Sequence, residues 1–492
     1  MKDERTVLLI NPCYDKSDML GPFARYISSQ LPLSLGLLAG YLLERGIPVE
    51  IVDEQLRQAD GQHLRALLDT GAVRVVGISV LTLTSARAYE LGALIKRLWP
   101  QITVVMGGVH VTLLPEEPLA RGAADIVVRN EGEVTFYEIV SRIHAGSPYG
   151  DVVGVSYVRE GKVVHNPERT PVDELDKLPV FPYHLFEENS ARYQFGNMLT
   201  SRGCPYECIF CSQRAISGRR YRVQSPERTF RELERLVFHY GQRFIFINDD
   251  NFLVQPQKVR RLCELIIRRG FPDDVRIGFN GRGDSLDPDL LRDMRAARFS
   301  FILIGFETGS ERLMSMVKKG ETVSQIAEGV RVAKEAGFTV GGQFILGFPT
   351  ETRRESFRTI WHALRLPIDF VRFNLLVPYP GTEVHAMVRR EKDRLAHDWT
   401  GYATHGGLTG KGAPYVPEGR SARELVSLQW IGHLLFYLRP RQLLNMGNMR
   451  YATGGQVMVP ETTSLRGCLE FLGFAFQLLM YLVVGAVRSK KR

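Results

Sequence analysis

Apolar residues in the first 150 positions fall in short runs, separated by stretches with helical spacing. Val7–Pro12, Val49–Asp53, Val73–Leu81, Ile102–Gly108 and Asp125–Glu133 read as strands. Between them, Leu31–Gly46 carries an amphipathic pattern that ends on a glycine, and a helix is predicted over Ala86–Leu98. This alternation predicts an α/β fold that begins with a doubly wound, Rossmann-like parallel sheet over residues 1–150. Residues 151–192 read as a connecting segment, with a hairpin turning at Gly161 and an irregular Pro-rich crossover at Leu178–Phe186. A second alternation occupies 193–390. Its strands are predicted at Met198–Arg202, Phe244–Asn248, Val275–Asn280, Phe301–Phe306, Thr339–Leu346 and Phe370–Leu376. Helical patterns lie between them, as at Pro226–Tyr240, Val259–Arg269 and Val323–Ala336. Six such units predict a partial (β/α)6 barrel, with its chemistry at the C-terminal strand ends. Residues 391–492 lose the alternation and read as a mainly helical C-terminal region.

Composition adds limits. At 492 residues the chain is long enough for two or three domains. Of six cysteines, Cys13, Cys263 and Cys468 are scattered, so no disulfide framework is expected and a reducing cytoplasm is the expected compartment. The N-terminus runs into a strand with no signal-peptide pattern. A net charge of +9 comes without an aromatic-interleaved basic stripe, so no nucleic-acid partner is expected.

The other three cysteines, Cys204, Cys208 and Cys211, fall within eight residues in the order C-x3-C-x2-C. Three thiolates on one loop can hold three corners of a four-iron cube and leave one iron open to a non-protein ligand. Gly203 lets the chain turn before the first cysteine, Pro205 stiffens it afterwards, and Phe210 offers a flat face between the last two. Three buried thiols on a helix face, or a zinc site, are the competing readings. The Gly-Cys-Pro start opposes the helix, and zinc lacks its fourth ligand nearby. Asp249, Asp250, Asn251, Arg282, Glu307 and Gln343 fall in or just after the predicted barrel strands. Each could serve as a cap or a solvated loop residue; their common placement favours a site. In the first sheet, Ser79, Leu81, Thr82, Gly107, Gly108, Glu131 and Gly132 stand at strand ends, where such sheets bind ligands. Gly107-Gly108 is not a G-x-G-x-x-G fingerprint, so a nicotinamide cofactor is unsupported.

The cysteine loop, with its aromatic before the last cysteine, resembles the radical S-adenosylmethionine (SAM) signature. The S-x-L and G-G elements at Ser79, Leu81, Gly107 and Gly108 resemble a cobalamin-binding domain. Asn251 and its neighbours, Glu307 in GFETGS, and the GFPTET and PYPGT segments also fit radical SAM proteins that carry that domain. The resemblance covers about residues 1–390 and extends to C-methyltransferases and anaerobic magnesium-protoporphyrin ester cyclases. It implies a [4Fe-4S] cluster on Cys204, Cys208 and Cys211, with SAM near Phe210, Asp249, Asp250, Asn251, Arg282, Glu307 and Gln343. Cobalamin is implied at Ser79, Leu81, Thr82, Gly107, Gly108, Glu131 and Gly132. The D-x-H-x-x-G element that supplies a lower axial histidine is absent: Asn11-Pro12-Cys13-Tyr14-Asp15 stands there.

The expected activity is reductive cleavage of SAM to a 5′-deoxyadenosyl radical, followed by methylation of an unactivated carbon. An oxidative cyclisation, ring contraction or rearrangement without methyl transfer is the alternative, and a non-catalytic sensor a third reading. No residue is singled out as a catalytic acid, base or nucleophile. The expected partners are a small, apolar or biosynthetic substrate and an electron donor such as a flavodoxin or ferredoxin. Phe471–Val487 is apolar and is followed by Arg488, Lys490, Lys491 and Arg492. It reads as an interfacial or substrate-lining helix rather than a spanning one, giving peripheral contact with the cytoplasmic membrane face. A buried terminal helix has the same pattern.

Overall fold

The computed structural model describes residues 6–13, 28–390, 394–406 and 412–444. Among them the chain forms two compact units. One is built mainly on Leu31–Tyr193, the other on Gln194–Arg214 and the chain from Gly218 onward.

The strands of the first unit are β1 (Thr6–Asn11), β2 (Val49–Asp53), β3 (Val73–Ser79), β4 (Thr103–Gly107) and β5 (Ile126–Val128). They pair in parallel in the order β2-β1-β3-β4-β5. Parallel strands need both faces covered, and the two apolar cores follow from that. Leu8, Ile10, Val76, Ile78 and Val104 pack on one side, and Val7, Leu9, Val75, Val105 and Phe136 on the other. The segment read as connecting adds two strands to this sheet. β6 (Val155–Arg159) runs antiparallel to β5, and β7 (Lys162–His165) completes the hairpin. Buried Val155 and Tyr157 give the hairpin its apolar face. The predicted fifth strand runs only to Val128, and the helix Glu133–His144 begins after Gly132.

The second unit holds β8 (Asn197–Met198), β9 (Phe244–Ile247), β10 (Arg276–Gly281), β11 (Phe299–Glu307), β12 (Thr339–Leu346) and β13 (Phe370–Leu375). All six pair in parallel in chain order, as a partial barrel. The connecting helices carry local start and stop signals. Thr322/Gln325 and Thr352/Glu355 form capping boxes, Pro256 opens its helix, and Gly270 closes it in the left-handed conformation. The first barrel strand stops short of its predicted end. The N–H groups of Thr200 and Ser201 donate to the Asp249 carboxylate, which turns the chain out of the sheet. Ser201–Arg202 pairs instead with Arg222–Val223.

The barrel floor is aromatic: the Phe246 and Phe370 rings lie 5.8 and 5.3 Å from Phe301. The edge strand β13 is closed by the helix Ala422–Tyr437. Gln429 donates to the carbonyl of Phe373, His433 Nε2 accepts from the N–H of Phe373, and Tyr437 Oη bonds Val371. Spacing of four residues puts these side chains on one helix face, where they substitute for a seventh strand.

Among the described residues no helix is long and apolar enough to cross a membrane. Phe471–Val487 and the basic residues after it lie outside the described residues.

Candidate functional site

The cysteine loop is fixed at its middle. Ile209 is buried; its N–H donates to Val317 and its carbonyl accepts from Val384. Gly203 takes a φ of +83°, the left-handed turn for which a glycine is suited. Cys204, Cys208 and Cys211 carry free, partly exposed thiols around this anchor. Burial pushes the thiols up, to about 12 for Cys208 and about 11 for Cys211. Bare thiolates are therefore disfavoured at neutral pH, and iron would supply the charge that holds them deprotonated. Among the described residues no three His, Cys, Asp or Glu side chains converge on one point as a single metal ion requires. A cube asks for no such convergence, because each of its corners takes its own thiolate.

A charged layer adjoins the loop. Glu307, at the C-terminal end of β11, has a φ of +62° and meets Lys319 Nζ at 2.7 Å. Lys319 also lies 3.4 Å from Glu321. Arg282, just after β10, forks onto Asp284, donates to the Lys319 carbonyl, and stacks 3.6 Å over the Tyr206 ring of the loop. The Lys319 and Arg282 charges bear on Cys208, and those of Asp250 and Arg282 on Cys204. Asp250 is open on one side. Burial of the rest of its surroundings and the nearby Asp249 charge raise its carboxyl to about 6. Asp249 is fully buried and committed to the Thr200–Ser201 turn, including a 2.5 Å bond from Thr200 Oγ1. Its place is behind the loop, as a support. Asn251 accepts from the N–H of Leu253, while its buried Nδ2 has no acceptor among the described residues. That leaves a donor to be satisfied by something bound.

Phe210 meets Phe348 with ring centroids 5.9 Å apart. Phe348 is held by Glu351, whose buried carboxylate accepts from the N–H groups of Gly347 and Phe348 and from Ser356 Oγ. Gln343 lies on β12 and, among the described residues, makes no side-chain hydrogen bond. The barrel thus brings the three cysteines, Phe210, Asp250, Arg282 and Glu307 into one neighbourhood. Lys319, Glu321, Tyr206, Phe348 and Glu351 join them without having been singled out from sequence. GFPTET contained two of these residues, but nothing in its spacing gave them roles.

In the first unit, Ser79 and Gly107 are register partners at the ends of β3 and β4. A side chain at Gly108 would place its Cβ 2.8 Å from the Val80 carbonyl oxygen, on a backbone with φ +108°. The chain itself therefore requires this glycine. Among the described residues, a Cβ at Gly107 would meet only Val128, at 3.8 Å, and one at Gly132 nothing nearer than 3.9 Å. Protein packing leaves these two positions open. Leu81 presents an exposed apolar side chain nearby in sequence, while Glu131 follows β5. Thr82 faces inward. Its Oγ1 lies 3.3 Å from Nδ1 of buried His110, whose Nε2 is 3.3 Å from Glu117, itself bonded by Tyr89. His110, next to the two glycines, was missed because a single histidine in an apolar run carries no pattern.

Comparison with known proteins decides what these two sites belong to. The radical SAM superfamily matches residues 198–360, and the B12 binding domain matches residues 28–140. An uncharacterized methyltransferase of Pyrococcus horikoshii is 31% identical over 418 residues, covering 84% of this chain and 89% of the relative. The chain belongs to the cobalamin-dependent radical SAM family. The anaerobic magnesium-protoporphyrin IX monomethyl ester cyclase of Rubrivivax gelatinosus is 27% identical over 392 residues, or 77% of this chain and 69% of the cyclase. The solved structure of the cobalamin-dependent SAM radical enzyme OxsB, with aqua-cobalamin and SAM bound, has a TM-score of 0.73 at 19% identity. That match covers 98% of this chain and 72% of OxsB, and shares the fold. Membership in this radical SAM family brings its cofactor set: a [4Fe-4S] cluster, SAM and cobalamin. The donor sets fit these groups: three free thiols on an anchored loop, an unsatisfied buried amide beyond β9, and an open glycine position at the end of β4.

Proposed function

We propose that this protein methylates an unactivated carbon of a small-molecule substrate. Bound together, the cofactors supply an electron to SAM, a 5′-deoxyadenosyl radical from its cleavage, and a methyl group. The anchored three-thiol loop of the second unit, together with the two open glycine positions of the first, carries this reading. Cys204, Cys208 and Cys211 would hold three irons. Phe210 and Phe348 would wall a flat base, the Asp250 carboxylate suits the methionyl amine, and the Asn251 amide suits its carboxylate. Gln343 faces the same mouth. Lys319 and Arg282 balance negative charge beside the loop. Gly107 and Gly132 would admit the corrin, with Ser79 and Leu81 beside it. These residues position the reactants and exclude water; the hard chemistry is the cofactors'.

Methyl transfer is favoured because the Pyrococcus horikoshii relative, named a methyltransferase, has the higher identity and coverage. The cyclase relative supports oxidative ring closure as the second reading. Turnover with SAM deuterated in its methyl group separates them when products from a metabolite extract are weighed. Methylation gives a product carrying the label, with 5′-deoxyadenosine. A product that has lost hydrogen and gained no label establishes cyclisation.

A one-electron donor such as a flavodoxin or ferredoxin is needed for each cleavage. Phe471–Val487 and its basic neighbours support peripheral contact with an anionic membrane face. Co-sedimentation with anionic liposomes tests it; protein left in the supernatant refutes it.

A further inference from the structure

Two helices on the outside of the barrel carry an uncovered apolar face. The helix Arg353–Arg365 connects β12 to β13, and the closing helix Ala422–Tyr437 runs beside it. Arg353 meets Glu424 at 3.0 Å near the start of both helices, and Arg439 donates to the Leu364 carbonyl at 2.6 Å near their ends. The two are therefore parallel neighbours. Their inner sides pack on the barrel, with Ile360 and Ala363 buried from one, and Leu428, Trp430 and Phe436 from the other.

Their outer sides are apolar where a surface helix ordinarily turns polar residues to water. Phe357 and Trp361, one turn apart, are 55% and 59% exposed. On the neighbouring helix Ile431, Leu435 and Leu438 are 38%, 50% and 48% exposed. Spacings of three and four residues stack each set along its own helix, and the side-by-side packing joins the two sets into one seam. A single exposed leucine needs no explanation, but five large apolar side chains together mark a surface that something covers.

The charges around the seam identify its occupant. Helical spacing sets Arg354, Arg358 and Arg365 along its margin, all exposed. The Arg365 guanidinium lies 5.6 Å from the centre of the Trp361 ring, and none of the three arginines makes an ion pair among the described residues. The carboxylates of these helices, Glu355 and Glu424, are engaged by Arg312 and by Arg353 and Arg420. A second copy docked on this face would therefore set arginines against arginines with no free carboxylate to answer them. Aromatic rings bordered by guanidiniums match a lipid headgroup region, where the rings sit at the apolar boundary and the cations reach the phosphates. We infer that this face of the barrel rests on an anionic lipid surface, with Phe357, Trp361 and Leu435 at the acyl boundary and Arg354, Arg358 and Arg365 on the headgroups. The contact is distinct from the one proposed for Phe471–Val487 and depends neither on it nor on the reaction catalysed.

The test mixes the full chain with vesicles of phosphatidylcholine, alone or with phosphatidylglycerol, whose acyl chains are brominated to quench tryptophan fluorescence. Trp99 and Trp430 are buried, so Trp361 is placed to report the contact. The chain should bind the anionic vesicles about tenfold or more tighter than the neutral ones. Bound protein should show a quenched component that Trp361→Phe removes while binding persists. Arg354→Gln/Arg358→Gln/Arg365→Gln should erase the preference for anionic lipid, and Phe357→Ser/Trp361→Ser should weaken binding about tenfold. No binding, equal binding to both vesicles, or a preference that survives the arginine substitutions would overturn the inference. Vesicle binding without quenching of Trp361 would also overturn it, and would leave the contact through Phe471–Val487 standing. So would a Trp361 shielded from acrylamide in the lipid-free chain. Shielding lost on dilution would give the face to a second copy, and shielding that persists would give it to the chain's own terminal segment.

Discussion

Lys319 Nζ lies 2.7 Å from Glu307 Oε1, and both side chains are shielded from water. The pair joins the end of β11 to the loop after the helix Glu311–Met316, beside the cysteines. Lys319→Met would strand the Glu307 carboxylate. Removing one partner of a buried pair costs about 3–5 kcal/mol. The urea midpoint of barrel unfolding should fall accordingly. The double variant Lys319→Met/Glu307→Gln should recover much of the loss; equal destabilisation of both variants would refute the coupling.

The two adjacent glycines should respond differently. Gly108→Ala sets a methyl against the Val80 backbone at a positive φ, and should lower stability by about 1–3 kcal/mol. Gly107→Val meets no such wall, so the melting temperature of the cobalamin-free protein should hold while cobalamin uptake, read from its visible absorbance, is lost. Full uptake by Gly107→Val would move the corrin elsewhere.

Asp249 should act on the cluster from a distance. It contacts the turn at Thr200 and Ser201 and supports the loop from behind. Asp249→Ala should reduce iron retained after anaerobic reconstitution, although the three cysteines are intact. Unchanged iron content would remove Asp249 from the support.

The edge of β13 gives a pH response. His433 donates through Nδ1 to the Gln429 carbonyl and accepts at Nε2 from Phe373, so it is held neutral. Burial lowers its pKa from 6.5 to about 4. An unfolded histidine binds a proton below about 6.5 that the folded one refuses. Stability from this group is therefore complete above pH 6.5 and is lost as pH falls toward 4. Buried His405, lowered to about 3, adds in the same direction. His433→Leu leaves the Phe373 N–H without an acceptor, costing about 1–3 kcal/mol. It should also flatten the decline in unfolding midpoint between pH 6.5 and 4. A wild-type slope that persists in the variant would exclude His433 as its source.

Much of the architecture was legible because parallel strands buried on both faces are written as apolar runs, and the Cys204–Cys211 loop as a spacing. Contacts across the chain were not. Asp249 reads as a strand-end carboxylate with a ligand's place, but its burial commits it to Thr200 and Ser201. Gly107 and Gly108 look equivalent in sequence; only the approach of Val80 separates them. Lys319 sits in an ordinary polar turn, and its importance comes from Glu307, brought to it by the fold. The hairpin at Val155–His165 read as a connection because two short strands do not reveal their neighbour, which is β5.

The most direct measurement is 5′-deoxyadenosine formed from SAM after anaerobic reconstitution with iron, sulfide and cobalamin and reduction with dithionite. The wild type should form it, and the Cys204→Ala/Cys208→Ala/Cys211→Ala variant should form none and hold no four-iron cluster. Deoxyadenosine from the triple variant, or none from a wild type with a full reduced cluster, would contradict radical SAM chemistry at this loop.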